Sequence, residues 1–538
     1  MPLDALVTGR IATFGGDEGF GWVEAVGIRD GRVAFAGSAI DLDTRADPHT
    51  LRVELEPGEI AIPGLTDAHL HYLDAALALD QLDLANVATL SGALGLIAEA
   101  DRRLPADTWL LGAGWDQRRW GGWPTADDLD RVAPGRPVAL WSHDHHAVWG
   151  SSRSFILAGI DASVADPAGG IIRRTPTGDP EGVVLENACP MIMRLVPTPS
   201  EATVSRTLGV LGRQLLSLGV VGVHDPGHVS PDADLLAFDA YRRLADSGDL
   251  PVRVHASLRP EGLSRAIERG FRSGRVLGLD PDSRARVGWL KLFADGTLGS
   301  GTAAVLEPRS GATDVGVFRQ RPEELADLST RAAEAGIATQ IHAIGDAAVR
   351  AALDALTPTV AVVPLMPRVE HVQLVHPQDI ARFAGAGIAA SVQPVHLRED
   401  AETARRDWGA RAETRGYAWQ TLIEAGTVLA FGTDAPVEPI DPWPGIALSI
   451  LRRDPSWGKD AAAFGPAEAL DLVTALRAAT VGPALSAREL DGGRLMPGCR
   501  ADLIILPSAP REPGSGEHSF ATVRPRLVML GGEVVVDL

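Results

Sequence analysis

Apolar residues recur along this chain in two rhythms: short, nearly continuous runs that end in Gly, Pro or Asp, and longer stretches in which they return with helical period. Between residues 59 and 484 the two alternate. The short runs predict strands at 60–67, 220–225, 252–257, 287–293, 337–342, 368–371, 388–393 and 428–433, and helical stretches such as 322–335, 377–386 and 416–425 fall between several of them. Strands that alternate with helices build parallel sheets. Eight of them predict an α/β fold of the (β/α)8 TIM-like barrel type rather than an open doubly wound sheet.

The two ends of the chain read differently. Residues 1–58 and 485–538 are short apolar runs with Gly-rich turns, and Asp30–Gly31 between two such runs is a hairpin signal. Neither end has a second layer of its own, so both are expected to pair into one small β-sandwich. Residues 59–74 then carry the first barrel strand and 205–484 the rest of the barrel. The segment 75–204 breaks the rhythm and reads as a subdomain inserted after the first strand. It holds Trp109, Trp115, Trp120, Trp123, Trp141 and Trp149, half of the 12 tryptophans. These either form the core of that subdomain or belong to a lid over the barrel mouth, with Trp115 the candidate substrate contact.

Composition narrows the function classes. A chain of 538 residues exceeds one ordinary core, and 45% hydrophobic with 22% charged residues is ordinary for a soluble globular protein. Asp and Glu outnumber Lys and Arg by 70 to 50, giving a formal charge of −20 without a compensating basic stripe, which disfavours nucleic acid and anionic membranes as partners. No apolar run approaches the ~18 residues of a membrane span. The leading MPLDALVTGR has neither a basic leader nor a cleavage site, so a cytoplasmic location is expected. Two cysteines, Cys189 and Cys499, are too few for a disulfide framework or a zinc-type cluster. Any metal must be held by His, carboxylate or modified Lys.

The polar residues at the strand ends point to such a metal. His69 and His71 follow an apolar run with one residue between them, and on a strand both imidazoles would share a face. His342, His371 and Asp434 each fall at the end of a predicted strand, where barrel enzymes place their chemistry. In WLKLF, Lys291 alternates with Leu290 and Leu292 and so points into the barrel, where desolvation disfavours its ammonium. Glu370, next to His371 on a strand, is expected to face away from it. Singly each has an ordinary reading as a satisfied core residue or a turn; together they do not.

The segments PGLTDAHLH, GWDQRRW, KLFADGTLGS, IHAIGDAAV, VEHVQL, GTDAPVEP and LMPGCRADLIIL resemble the amidohydrolase superfamily of metal-dependent hydrolases, and within it the branch that includes N-substituted formamide deformylases. The resemblance runs almost end to end. It implies one or two divalent ions, with zinc expected, held by His69, His71, His342, His371 and Asp434 and bridged by Lys291 as a carboxylated lysine. It also implies hydrolysis of a non-peptide C–N bond in a small amide, an N-substituted formamide in its most specific form. Asp434 would be the general base for metal-activated water, and His342 would help to polarise the carbonyl. His146, His224 and His396 are candidate substrate contacts, and a homodimer is expected. The alternatives are a mononuclear aminopurine or pyrimidine deaminase, a hydrolase of esters, carbamates or lactones, and a non-catalytic scaffold. The KLFADGTLGS strand argues against the deaminase, and the presence of every ligand type argues against the scaffold.

Overall fold

The computed structural model describes residues 2–105, 108–228, 235–458, 460–507 and 522–537. At its centre eight strands run parallel in one sheet: β1 (Leu65–Asp67), β2 (Val220–Asp225), β3 (Arg253–Leu258), β4 (Ala285–Phe293), β5 (Thr339–Ala343), β6 (Arg368–His371), β7 (Ala389–Val392) and β8 (Leu429–Phe431). Each pairs with its neighbours in the chain. The two edges meet where Ala68 N–H donates to Phe431 O (2.8 Å) and Asp434 N–H to His69 O (2.6 Å). That contact needs Gly432, because a Cβ there would stand 2.5 Å from His69 N. The barrel expected from the alternating pattern is therefore present, and its closure brings His69 beside Asp434.

Strands β2 and β5 are buried at every position, as befits a sheet covered by helices outside and side chains inside. Pro322–Glu334 shows how the covering helices begin, with Pro in the first turn, Glu323 and Glu324 beside it, and Leu325, Ala332 and Ala333 turned inward.

Three details differ from the sequence reading. The first expected strand, 60–67, is two strands: Ile60–Pro63 pairs antiparallel with Leu503–Leu506 in another sheet, and only Leu65–Asp67 enters the barrel. The chain changes sheet at Gly64, where a Cβ would meet Val221 at 2.5 Å. The expected helix 416–425 is shorter, Trp419–Glu424. Finally, the chain ends form one continuous eight-stranded sheet instead of two facing sheets. A bulge between Thr8 and Ile11 lets it curl, so that Val7, Ile11, Val26, Leu503, Ile505 and Met529 share a core. The Asp30–Gly31 hairpin turn is present, both residues having positive φ (50° and 72°).

The neighbouring residues Ile504 and Leu506 pack on the barrel core instead. Arg253 on β3 grips Asp502 with two hydrogen bonds, Nε to Oδ2 (2.7 Å) and Nη2 to Oδ1 (2.9 Å). A third sheet of six strands, from Leu82–Asp83 to Pro180–Glu186, lies within the expected insertion. Its core holds Trp115 and Trp149, both fully buried, against Trp120 and Trp123.

Candidate metal centre

The C-terminal mouth of the barrel collects the expected side chains, although not by the expected route. His69 and His71 lie beyond the end of β1 in non-strand backbone, so strand alternation does not aim them. Asp67 does. Its carboxylate accepts the His69 N–H (3.0 Å) together with the N–H (3.0 Å) and hydroxyl (2.6 Å) of Thr433, pinning the loop after β1 to the loop after β8. Burial pushes the Asp67 pKa up to about 7 against those hydrogen bonds. The result is that Nε2 of His69 and Nε2 of His71 each stand 3.4 Å from Oδ1 of Asp434.

His69 is held from the other side by Glu370, whose Oε2 is 2.5 Å from Nδ1. With Nδ1–H donated to that carboxylate, Nε2 keeps its lone pair and points at Asp434 and at Nζ of Lys291, 3.4 Å away. Glu370 was expected to face away from His371, and by alternation it would. The correction lies in the backbone: His371 has φ 73° and Val372 φ 47°, so the chain turns at the end of β6 and both side chains reach the mouth. Burial opposes the charge of Glu370, but Arg368 and His69 outweigh it and hold the carboxylate ionised. Arg368 Nε lies 3.0 Å from Glu370 Oε1, and its Nη1 donates to His224 Nδ1 (2.9 Å).

Atoms of His69, His371 and Asp434 lie within 4.8 Å of one another, and all three residues are buried. The His342 ring is 4.5 Å from that of His371. Its Nε2–H is committed to Gly296 O (3.1 Å), which leaves Nδ1 as the lone-pair nitrogen. An imidazole so engaged offers a lone pair on Nδ1 and has no N–H left for a carbonyl oxygen, at odds with the polarising role expected of it. Burial carries His342 and His371 well below the usual imidazole range, so both are neutral. Asp434 is the opposite case. Burial opposes its charge, yet the histidines around it, His396 through a direct hydrogen bond, hold it well below the usual carboxylate range. Lys291 is 1% exposed, and burial brings its pKa down to about 7 despite Glu370 and Asp434.

The candidate substrate contacts divide. His146 reaches the site, its Nδ1 2.7 Å from Glu186 Oε2 and its ring 5.8 Å from that of His342. His396 donates from Nε2 to Asp434 Oδ2 (3.1 Å) and has Glu438 Oε1 3.5 Å from Nδ1. Burial works against its charge, but those two carboxylates raise its pKa to about 10. His224 is not available to a substrate: it is 2% exposed, packed against His255 and Trp289, and joined to the site through Arg368 and Glu370. Trp115 is also corrected, because its fully buried indole donates to Leu140 O (2.7 Å) in the core of the inserted sheet. Asp67 and the pairing of His396 with Asp434 were missed by sequence reasoning. Arg368 and Glu370 had a visible signal, since they alternate on one strand in RVEH.

The donor set fits a divalent metal. It combines neutral imidazoles, an ionised carboxylate and a lysine that sheds its proton near neutrality, and Nδ1 of both His71 and His371 is buried without a hydrogen-bond partner. Fold and donor set together define the metal-dependent hydrolase class. The chain belongs to the amidohydrolase family, whose sequence profile matches residues 57–536. It is 31% identical over 516 residues to the protein LONG AFTER FAR-RED 3 of Arabidopsis thaliana, covering 94% of this chain and 87% of that one. It is 28% identical over 524 residues to the N-substituted formamide deformylase of Arthrobacter pascens, covering 92% of each. An uncharacterized metal-dependent hydrolase of Pyrococcus furiosus has a similar structure, with a TM-score of 0.73 at 27% identity over 94% of this chain and 99% of that one. Among the described residues no helix is long and apolar enough to cross a membrane.

Proposed function

We propose that this chain hydrolyses an amide-type C–N bond in a small molecule, with N-substituted formamides the first class to try. The observation that carries the reading is the meeting of Asp434 Oδ1 with Nε2 of both His69 and His71 at 3.4 Å, beside Lys291 Nζ at 3.4 Å from His69. His69, His71, His371 and Asp434 would hold the metal, zinc by its preference for imidazole and carboxylate, and Nδ1 of His342 is free to join them. When bound, the ion would make hydroxide available near neutral pH and polarise the acyl oxygen. Lys291 is the candidate for a second, bridging carboxylate: its neutral amine adds to carbon dioxide, a proton leaves, and a carbamate remains.

Asp434 is placed to act as the base. His396 holds Oδ2, so Oδ1 faces the histidines, where it takes a proton from the attacking water as the new C–O bond forms. The same carboxylate then returns the proton to nitrogen as the C–N bond breaks, releasing an amine and a carboxylate. His146, fixed by Glu186, faces this region from the inserted subdomain. The similarity to a formamide deformylase along 92% of both chains supports amide over ester.

The test is product release from a panel of N-substituted formamides, N-acyl amines and aminopurines by metal-loaded protein. Amine and carboxylate from wild type, with loss in Asp434→Asn at a measured metal content, support the reading. Ammonia from the aminopurines alone overturns it.

A further inference from the structure

Phe293 ends β4 inside the candidate site. Its ring centroid is 5.0 Å from Nζ of Lys291 and 5.4 Å from the His342 ring. Two guanidinium groups lie against the same ring: that of Arg259, from the residue after β3, at 4.6 Å, and that of Arg319 at 4.8 Å.

The two arginines differ in how they are satisfied. Arg319 has Nε 3.5 Å from Glu186 Oε2 and donates from Nη2 to Asn187 Oδ1 (3.3 Å). Arg259 has Nε and Nη1 buried with no hydrogen-bond partner, and among the described residues no carboxylate lies within ion-pair distance of it. The acids around it are Asp74, Asp225 and Glu261. Asp74 is engaged by His228 and Asp225 by Tyr241 and Gly227, while Glu261 is exposed to solvent. Burial and the like charge of Arg319 both weigh against the Arg259 guanidinium, which nevertheless stays protonated. A guanidinium with two N–H groups buried and no anion beside it among the described residues is unfavourable in a resting protein, and an external anion would complete it.

Resting on the amide-hydrolase reading, we infer that Arg259 is a specificity residue that binds a carboxylate on the substrate. The preferred amide thus carries a carboxylate on the same molecule as its scissile bond. A planar guanidinium with unpartnered N–H groups suits a planar anion. One free guanidinium matches the single charge of a carboxylate better than a phosphate dianion. One aromatic ring separates Arg259 from Lys291, so that carboxylate and the scissile amide are a few bonds apart.

The test uses a pair of compounds that differ only by the carboxylate, N-formylphenylalanine and N-formyl-2-phenylethylamine, with metal-loaded wild type, Arg259→Met and Arg259→Lys. Met preserves the contact with Phe293, and no side-chain hydrogen bond to a described residue is lost. Wild type should favour the acid through KM, by about 10–100-fold, the ratio expected of a charge-assisted hydrogen-bond pair. That preference should collapse in Arg259→Met and survive in part in Arg259→Lys. A preference for the neutral amide, or an acid preference that Arg259→Met retains, overturns the inference. Hydrolysis of neither compound overturns the amide reading instead. Calorimetric titration of the same pair into metal-free wild type and Arg259→Met then decides the carboxylate site alone. Binding of the acid that wild type shows and the variant lacks supports it, and equal behaviour of the two proteins overturns it.

Discussion

Oε2 of Glu370 sits 2.5 Å from Nδ1 of His69, both side chains buried, and this contact decides which nitrogen of His69 faces the candidate metal centre. Arg368 pairs with the carboxylate in turn, so the orientation of His69, a candidate ligand, is set through Glu370 and Arg368. Replacing Glu370 by Gln keeps the volume but removes the charge that fixes the tautomer and pairs Arg368. Metal affinity should fall by about 10–100-fold, as for other carboxylates that orient a ligating histidine. Competition with a chelator, followed by metal analysis of wild type and Glu370→Gln, checks this.

The state of Lys291 can be read directly. With its pKa brought down to about 7 by burial, a large part of the amine is neutral at physiological pH and able to add carbon dioxide. Protein prepared in 13C-labelled bicarbonate with metal present should give a carbamate carbonyl resonance that Lys291→Met lacks. An identical spectrum from the variant would leave Lys291 an ordinary amine.

How far the sequence foretold this site depends on the physical scale of each feature. The eight strand runs were legible because β2 to β8 are buried on both faces and so read as continuous apolar segments. Lys291 was legible for the same reason, as the polar residue among Leu290 and Leu292. The split at Gly64 was not, since Ile60–Pro63 and Leu65–Asp67 are both buried and differ only in the sheet they join. Nor were the roles of Asp67 and Glu370. Each acts on a residue hundreds of positions away, Asp67 on Thr433 and Glu370 on His69, and local periodicity carries no trace of such pairings. Alternation failed at His371 because a left-handed backbone residue ends the strand, which a non-glycine side chain does not announce.

The tryptophans of the insertion supply a test of core against lid. Trp115 is fully buried, its ring centroid 6.0 Å from Trp123 and 6.4 Å from both Trp120 and Trp149. Trp115→Ala should destabilise by about 3–5 kcal/mol, the cost of a large cavity in a packed core. Thermal unfolding will read that loss, while KM of the protein that remains folded should stay near wild type. A KM effect without loss of stability would return Trp115 to the substrate.

The joint between barrel and terminal sheet should make the protein acid-labile in a defined window. Glu489 lies 2.5 Å from Arg500 Nη2, 3.3 Å from Arg286 Nε and 3.6 Å from His255 Nε2. Burial opposes its charge, but His255 and the arginines bring its pKa down to about 2, so its stabilisation is complete above the unfolded value and is lost as pH falls towards 2. Burial brings His255 down to about 4, which Glu489 only partly offsets. A histidine held neutral in the fold also stabilises above its unfolded pKa, and that contribution fades between about pH 6.5 and 4. Both groups therefore act in the same direction, together on the order of a few kcal/mol, with His255 titrating first. Denaturant unfolding of wild type should show stability falling from pH 6.5 to 4, and His255→Gln should fall less steeply over that interval while keeping the loss below pH 4. Equal slopes in the two proteins would remove His255 from the joint's titration and leave the acid lability to Glu489.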